Sequence, residues 1–325
     1  MNKDLIFMNG IINVYKEAGF TSFDVVAKLR GILKQKKIGH TGTLDPDAVG
    51  VLPVCLGTAT KLCDMLTDKK KEYIAEFVLG KITDTQDISG IVLEEKEVSC
   101  TEEEVRTVIT SFIGTYEQLP PMFSAVKVDG KRLYELARQG KEVDRKTRPV
   151  TLFEIEILRM ELPVVSIRVL CSKGTYIRTL CHDIGMKLGC GAVMTSLKRT
   201  ASGQFGLDSA HTLAEIEALR DSGELDAAII PVDEVFGNLP AIIVSGELEK
   251  KILNGNYISW SKCKAHIKNV GNTISGLSDT GVNSLCCDGQ LFRIYKELDN
   301  SSNFMAIYCY KTEKKGIVPE KMFLG

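Results

Sequence analysis

Between residues 39 and 52 the chain reads Gly-His-Thr-Gly-Thr-Leu-Asp-Pro-Asp-Ala-Val-Gly-Val-Leu. Three glycines, a proline and several Thr and Asp turn-formers surround one carboxylate, Asp45. Such a composition suits backbone shape rather than packing, because glycine reaches conformations closed to other residues and Asp and Thr bond back to nearby amides. Pro46 fixes φ directly after Asp45, so the stretch predicts a loop that presents a held carboxylate. On its own, Asp45 can be a nucleophile, a base, a metal ligand or the cap of an Asx turn. Asp45-Pro46-Asp47 is also a D-x-D pair, as in magnesium-dependent phosphotransferases. Those need a buried apolar strand just before the Asp, and residues 39–43 are the opposite.

A second polar constellation is Cys171-Ser172-Lys173-Gly174-Thr175-Tyr176-Ile177-Arg178, which runs from a strand into a helix through Lys-Gly. Arg178 falls in the first turn of that helix, where the dipole disfavours a cation by about 0.3–1 kcal/mol. A carboxylate partner offsets this, and the pairing would pull that carboxyl's pKa down and keep it ionised. On its residues alone Arg178 reads first as a structural ion pair. Tyr73, in Lys70-Lys71-Glu72-Tyr73, opens an alternating segment over 72–79 that puts Tyr73, Ala75, Phe77 and Leu79 on one side of a strand. A third long run, 118–138, opens with Pro120-Pro121 and continues into Lys127, Lys131, Arg132 and Arg138.

Hydrophobic spacing and caps predict helices over 22–35, 58–66, 101–113, 175–188 and 212–220. Thr101 with Glu104 and Thr212 with Glu215 read as capping boxes, and Gly114 and Gly189 as stops. Residues 150–158 and 164–171 read as strands parted by a turn at Pro163. From about Ala241 short apolar runs, 290–295 and 304–310 among them, alternate with turn signals at 254–256, 278–281 and 287–289. The expectation is an α+β domain over 1–238, a mixed sheet with flanking helices, followed by a small mostly-β module over 239–325.

With Lys and Arg at 41 against 42 Asp and Glu, global charge names no partner, but its distribution is uneven. Residues 28–37 hold Lys28, Arg30, Lys34, Lys36 and Lys37 with no acid, and 127–148 hold eight basic residues against four acids. These are phosphate-binding faces or plain solvated helix surfaces. No run of eighteen apolar residues predicts a membrane span, and Met1-Asn2-Lys3-Asp4 does not open a secretory leader, so a cytoplasmic protein is expected. Ten cysteines without one C-x-x-C pair read as reduced thiols rather than zinc ligands. No P-loop and no G-x-G-x-x-G occurs, and no cofactor is expected.

The 39–52 stretch closely resembles the signature loop of TruB-type tRNA pseudouridine synthases. Lys173 to Arg178, the Lys-x-Tyr at Lys71 to Tyr73, Leu197 to Gly203 and the 118–138 run are similar to further motifs of that family. Asn13 to Ser22 is similar to its first motif, with Glu17 where a Pro usually follows the Lys. Residues 239–325 look like its PUA-like RNA-binding domain, and Ile317 to Phe323 resembles the usual ending.

The resemblance implies the pseudouridine synthase fold and a base-flipping isomerase that converts uridine 55 in the T arm of tRNA. It implies a monomer acting without cofactor, metal, membrane or guide RNA. It makes Asp45 the catalytic residue, with Arg178 pairing it and Tyr73 on the target base. His40, Tyr176, Leu197, Lys16, Lys127 and Arg132 would bind substrate, and the segment 120–148 would clamp the tRNA arm. A non-catalytic tRNA-binding or tRNA-folding protein of the same fold is the alternative reading.

Overall fold

The strand Gly10–Lys16 pairs antiparallel with Val49–Leu56, Gly10 opposite Leu56 and Lys16 opposite Gly50. This pair starts a ten-stranded sheet in a computed structural model that describes residues 8–128, 130–263, 266–268, 287–298 and 301–324. The expected turn at 278–281 and the opening Met1 to Asp4 lie outside those residues.

The sheet is two antiparallel halves joined by a short parallel seam. One half holds Gly10–Lys16 and Val49–Leu56, with Ile38–His40 on its flank. The other runs Ala192–Ser202, Lys71–Leu79, Val164–Cys171, Arg148–Glu161 and Gly114–Gln118. Among the described residues, the strand pairing that connects them is Lys198 opposite Val49 and Arg199 opposite Gly50. Gly50 is required there. Its φ is +106°, and a Cβ would lie 2.2 Å from the Arg199 carbonyl oxygen.

Helices Ser22–Leu33 and Leu213–Ser222 cover the first half, burying Val25, Val26, Leu29, Leu213 and Ile216 against Ile12, Val14, Leu52 and Val54. Glu102–Thr110 and Ile177–Leu188 cover the second, with Val105, Ile109, Leu180 and Ile184 on Phe77, Ile167 and Val169. Both predicted capping boxes form, at Thr101 and Thr212. A third caps the first helix one residue earlier than expected, at Thr21 with Asp24. That helix ends at Leu33 because Lys34 turns left-handed. The helix over 101–113 stops at Thr110, and Gly114 instead opens a strand.

A six-stranded sheet follows, in the order Ile258–Ser259, Gly316–Met322, Ser301–Lys311, Leu291–Leu298, Ala241–Val244, Ile267–Lys268. It wraps a core of Trp260, Phe292, Tyr308 and Tyr310. Ile307 and Phe323 of this part pack with Ile11, Val51, Leu62, Val232 and Phe236 of the first. Among the described residues no helix is long and apolar enough to cross a membrane.

Candidate active site

The Asp45 loop lies beside the seam. Residues 41–48 leave the strand Ile38–His40 and return as Val49–Leu56, so the predicted loop is shorter than 39–52. Leu44 and Ala48, on either side of Asp45, are buried in the core with Tyr73, Ile177 and Leu197. The backbone is tied throughout. Ser22 Oγ accepts from Leu44 N at 2.9 Å, Gly19 N donates to the Pro46 carbonyl at 3.0 Å, and Thr41 N donates to Pro53 at 3.1 Å. Two apolar anchors and these bonds hold the Asp45 backbone in place.

Arg178 approaches Asp45 from the helix Ile177–Leu188 in a bidentate pair, Nε to Oδ2 at 2.9 Å and Nη2 to Oδ1 at 3.1 Å. Its other donors are also taken: Nη2 reaches the Phe123 carbonyl at 2.9 Å, and Nη1 reaches the Thr85 carbonyl at 3.0 Å and Asp87 Oδ2 at 3.2 Å. Every N–H of the guanidinium thus has an acceptor, and the group cannot swing without losing several bonds. Asp87 is fixed in turn by Thr85 Oγ1 at 2.8 Å and Ser89 N at 3.1 Å. The Arg178 side chain is 6% exposed, whereas that of Asp45 keeps 40%, so the free edge of the carboxylate is open to an incoming group.

Arg178 alone would pull the Asp45 carboxyl below its ordinary pKa. The structure reverses that expectation. Burial among protein atoms is the largest influence and pushes it up, Arg178 opposes this, and the Asp87 charge adds to the rise.

Tyr73 sits on the strand Lys71–Leu79 between Val169 and Arg199, with its ring in the core cluster that holds Leu44 and Leu197. Burial raises its pKa, and Arg199 partly opposes the rise, so the hydroxyl stays protonated. Tyr176 caps the same helix as Arg178. Its N–H and carbonyl are held by the Gln118 amide at 2.8 and 3.0 Å. Burial raises the Tyr176 pKa as well. His40 ends its strand half-buried, and its Nδ1 accepts from Gly42 N at 3.3 Å. Burial and then Arg199 lower its pKa, so the ring is neutral at neutral pH. Lys127 and Arg132 pair across the two-stranded ladder Lys127–Val128 with Lys131–Arg132, and both are exposed. Of that insertion, the Phe123 carbonyl is what reaches the ion pair.

Lys16 corrects the sequence reading. Its side chain is not available to substrate. It is fully buried, and Nζ donates to the carbonyls of Phe20 at 2.6 Å, Pro46 at 2.8 Å and Glu17 at 3.0 Å. Burial lowers its pKa to about 8, with Asp45 the largest opposing influence. Lys16 therefore fastens the Asp45 loop from beneath.

Sequence reasoning missed Asp87 and Arg199. Asp87 lies in Asp84-Thr85-Gln86-Asp87, which carries no sequence signal for a place beside Arg178. Arg199 is 1% exposed, and Nε donates to the Val51 carbonyl at 2.6 Å. It stands two residues on from Leu197 in the strand Ala192–Ser202, a strand the sequence reading did not include. A separate concavity of about 340 Å³, lined by Val78, Gly80, Lys96, Leu162 and Pro163, holds none of these groups. Among the described residues, no His, Cys, Asp and Glu cluster is arranged to hold a metal ion.

Comparison with known proteins gives the family of the chain. Residues 30–177 match the model of the TruB family pseudouridylate synthase N-terminal domain, and 178–236 that of the tRNA pseudouridylate synthase B C-terminal domain. The chain is 51% identical over 251 residues to the tRNA pseudouridine synthase B of Alkaliphilus oremlandii, covering 77% of this chain and 83% of that one. It is 50% identical over 330 residues to the protein of the same name in Lachnoclostridium phytofermentans, covering 98% and 100%. A solved Cbf5–Nop10–Gar1 complex has a chain with TM-score 0.70 and 28% identity, covering 98% of this chain and 86% of its own. An H/ACA RNP bound to a substrate RNA containing 2'-deoxyuridine gives 0.69 and 26%, over 98% and 86%.

Proposed function

The chain belongs to the TruB family of pseudouridylate synthases, and on that premise we propose that it isomerises uridine 55 in the T arm of tRNA, with Asp45 as the reacting carboxylate. The observation that carries this reading is the bidentate Arg178 clamp on a carboxylate whose free edge is open. The close relatives are named as tRNA enzymes, which supports tRNA as the substrate.

The reaction breaks the bond from the sugar C1' to N1 and forms one from C1' to C5. The C5 proton leaves and N1 gains one, so no redox partner or energy source enters the balance. The target base is stacked in the folded arm and has to be extruded, at a cost of a few kcal/mol. Asp45 in its ionised form then attacks carbon 6 or the sugar carbon, or removes a sugar proton. Tyr73 and Tyr176 bracket the base, Leu197 backs it, and neutral His40 fills the gap the base leaves. In this reading residues 1–238 carry the chemistry, the insertion 120–148 clamps the arm through Lys127 and Arg132, and 239–325 extend the RNA contact. The protein acts as a monomer in the cytoplasm without guide RNA.

The test is release of tritium from carbon 5 of uridine in unmodified tRNA, with chelator present. Wild type is expected to release it. Asp45→Asn, which keeps the shape but not the charge, is expected to bind tRNA and release none. Turnover by Asp45→Asn would refute the role of Asp45. Binding without turnover by wild type would favour the tRNA-binding alternative.

A further inference from the structure

Phe23 is the second residue of the helix Ser22–Leu33, and its side chain is 64% exposed. A single exposed aromatic is ordinary. Its place is not. The preceding residue, Ser22, holds the catalytic loop through Oγ to Leu44 N at 2.9 Å, so Phe23 stands one residue from the support of Asp45. Burying Phe23 would give the fold nothing, since the core face of the helix is Val25, Val26 and Leu29.

The face it shares is distinctive. Along the helix Phe23 is followed at four and seven residues by Ala27 and Arg30, both exposed. Ala27 is small enough to leave the ring uncovered. Arg30 continues the stripe as a cation, and the exposed Lys34, Lys36 and Lys37 follow past the helix end. The neighbouring Phe20 is treated differently, because Lys28 lies over its ring at 4.7 Å. An exposed ring next in the chain to the Ser22 that ties down the Asp45 loop, leading into a row of cations, has the make-up of a single-stranded nucleic-acid track. Bases stack on the aromatic and phosphates follow the charges.

We propose that Phe23 is a stacking platform for an unpaired base of the RNA loop that flanks the target uridine. This rests on the reading that Asp45 acts on RNA. Stacking of this kind tolerates any base, so Phe23 contributes affinity and register rather than sequence choice.

The test uses the full chain and an unmodified T-arm hairpin, with binding read by anisotropy and turnover by tritium release. Phe23→Ala is expected to raise Kd by about 5-fold or more, the scale of one base–aromatic stack. Phe23→Tyr should bind as wild type does. The slope of log Kd against log salt should not move in either, because no charge changes. Hairpins with an abasic site at each loop position in turn should then identify one at which wild type loses affinity and Phe23→Ala loses nothing further. Unchanged Kd in Phe23→Ala, or losses that add at every abasic position while wild type turns the hairpin over, would overturn the platform alone. A wild-type protein that neither binds nor converts the hairpin would overturn the RNA reading, and the platform with it.

Discussion

At the scale of residues, one guanidinium organises the site by committing all its donors. Arg178 is held by Asp87, Thr85 and Phe123 and offers Asp45 two parallel bonds. Burial and the Asp87 charge push the Asp45 carboxyl above the ordinary aspartate value of 3.8, and Arg178 pulls it back. If ionised Asp45 is the reacting form, kcat/KM falls on acidification through the raised value, so its acid limb is expected above that of a free aspartate. Arg178→Lys, which loses the fork, should move the limb further up. Asp87→Asn removes a repelling charge and should move it down, while slackening Arg178 and lowering the rate about 10- to 100-fold. The pH profiles of the three proteins test these signs, and a limb that moves the same way in both variants would contradict them. Lys16 gives a stability counterpart. Lys16→Met takes the Nζ donor from the Glu17 and Phe20 carbonyls and leaves Pro46 with Gly19 N alone, and each buried carbonyl left unpaired costs about 1–3 kcal/mol if it stays dry. Denaturant melts should show a clear loss, together with lower activity as the Asp45 loop loosens.

At the scale of elements, the loop is positioned by the seam that closes it. Two register pairs join the halves of the large sheet, and Gly50 permits them only because nothing occupies its Cβ position. Gly50→Ala puts a methyl group into the Arg199 backbone at a positive φ, and is expected to lower the melting temperature sharply and abolish turnover. Gly31→Ala is the matching control: it lies in the first helix with open space at its Cβ, and should stabilise by about 0.5–1 kcal/mol. Elements of this kind mark how far the sequence could be read. Capping boxes and alternation at 72–79 and 164–171 are local codes and were legible. The strand Val49–Leu56 was half hidden, because its start reads as part of the glycine-rich loop. Asp87 was not legible as a site residue, since its partner lies 91 residues away and only the fold brings them together. Lys16 failed for a related reason: a lysine in a polar motif reads as exposed, and only three converging carbonyls show otherwise.

At the scale of the whole molecule, the chain carries a formal net charge of −1, so any hold on a polyanion has to come from where its cations stand. The two basic segments belong to different elements. The helix Ser22–Leu33 leads into one, and the insertion that supplies the Phe123 carbonyl to Arg178 contains the other. Each is thereby tied mechanically to the ion pair, the first through Ser22 and Leu44, the second through Phe123. A phosphate backbone held by both segments would couple binding to the positioning of the carboxylate. This coupling predicts two separable effects. Removing one phosphate-binding cation lowers the slope of log K against log salt by about 0.7–0.9, so Lys127→Ala with Arg132→Ala should flatten it by about 1.5. The same pair should leave the saturating single-turnover rate nearly unchanged, because neither side chain touches the ion pair. Phe123 acts through its carbonyl, so shortening the insertion past it should lower that rate even at saturating tRNA. A flattened slope with intact chemistry in the first case, and a lowered single-turnover rate in the second, would establish that the insertion binds through Lys127 and Arg132 and positions Arg178 through Phe123. An unchanged slope would move the electrostatic contact off the insertion.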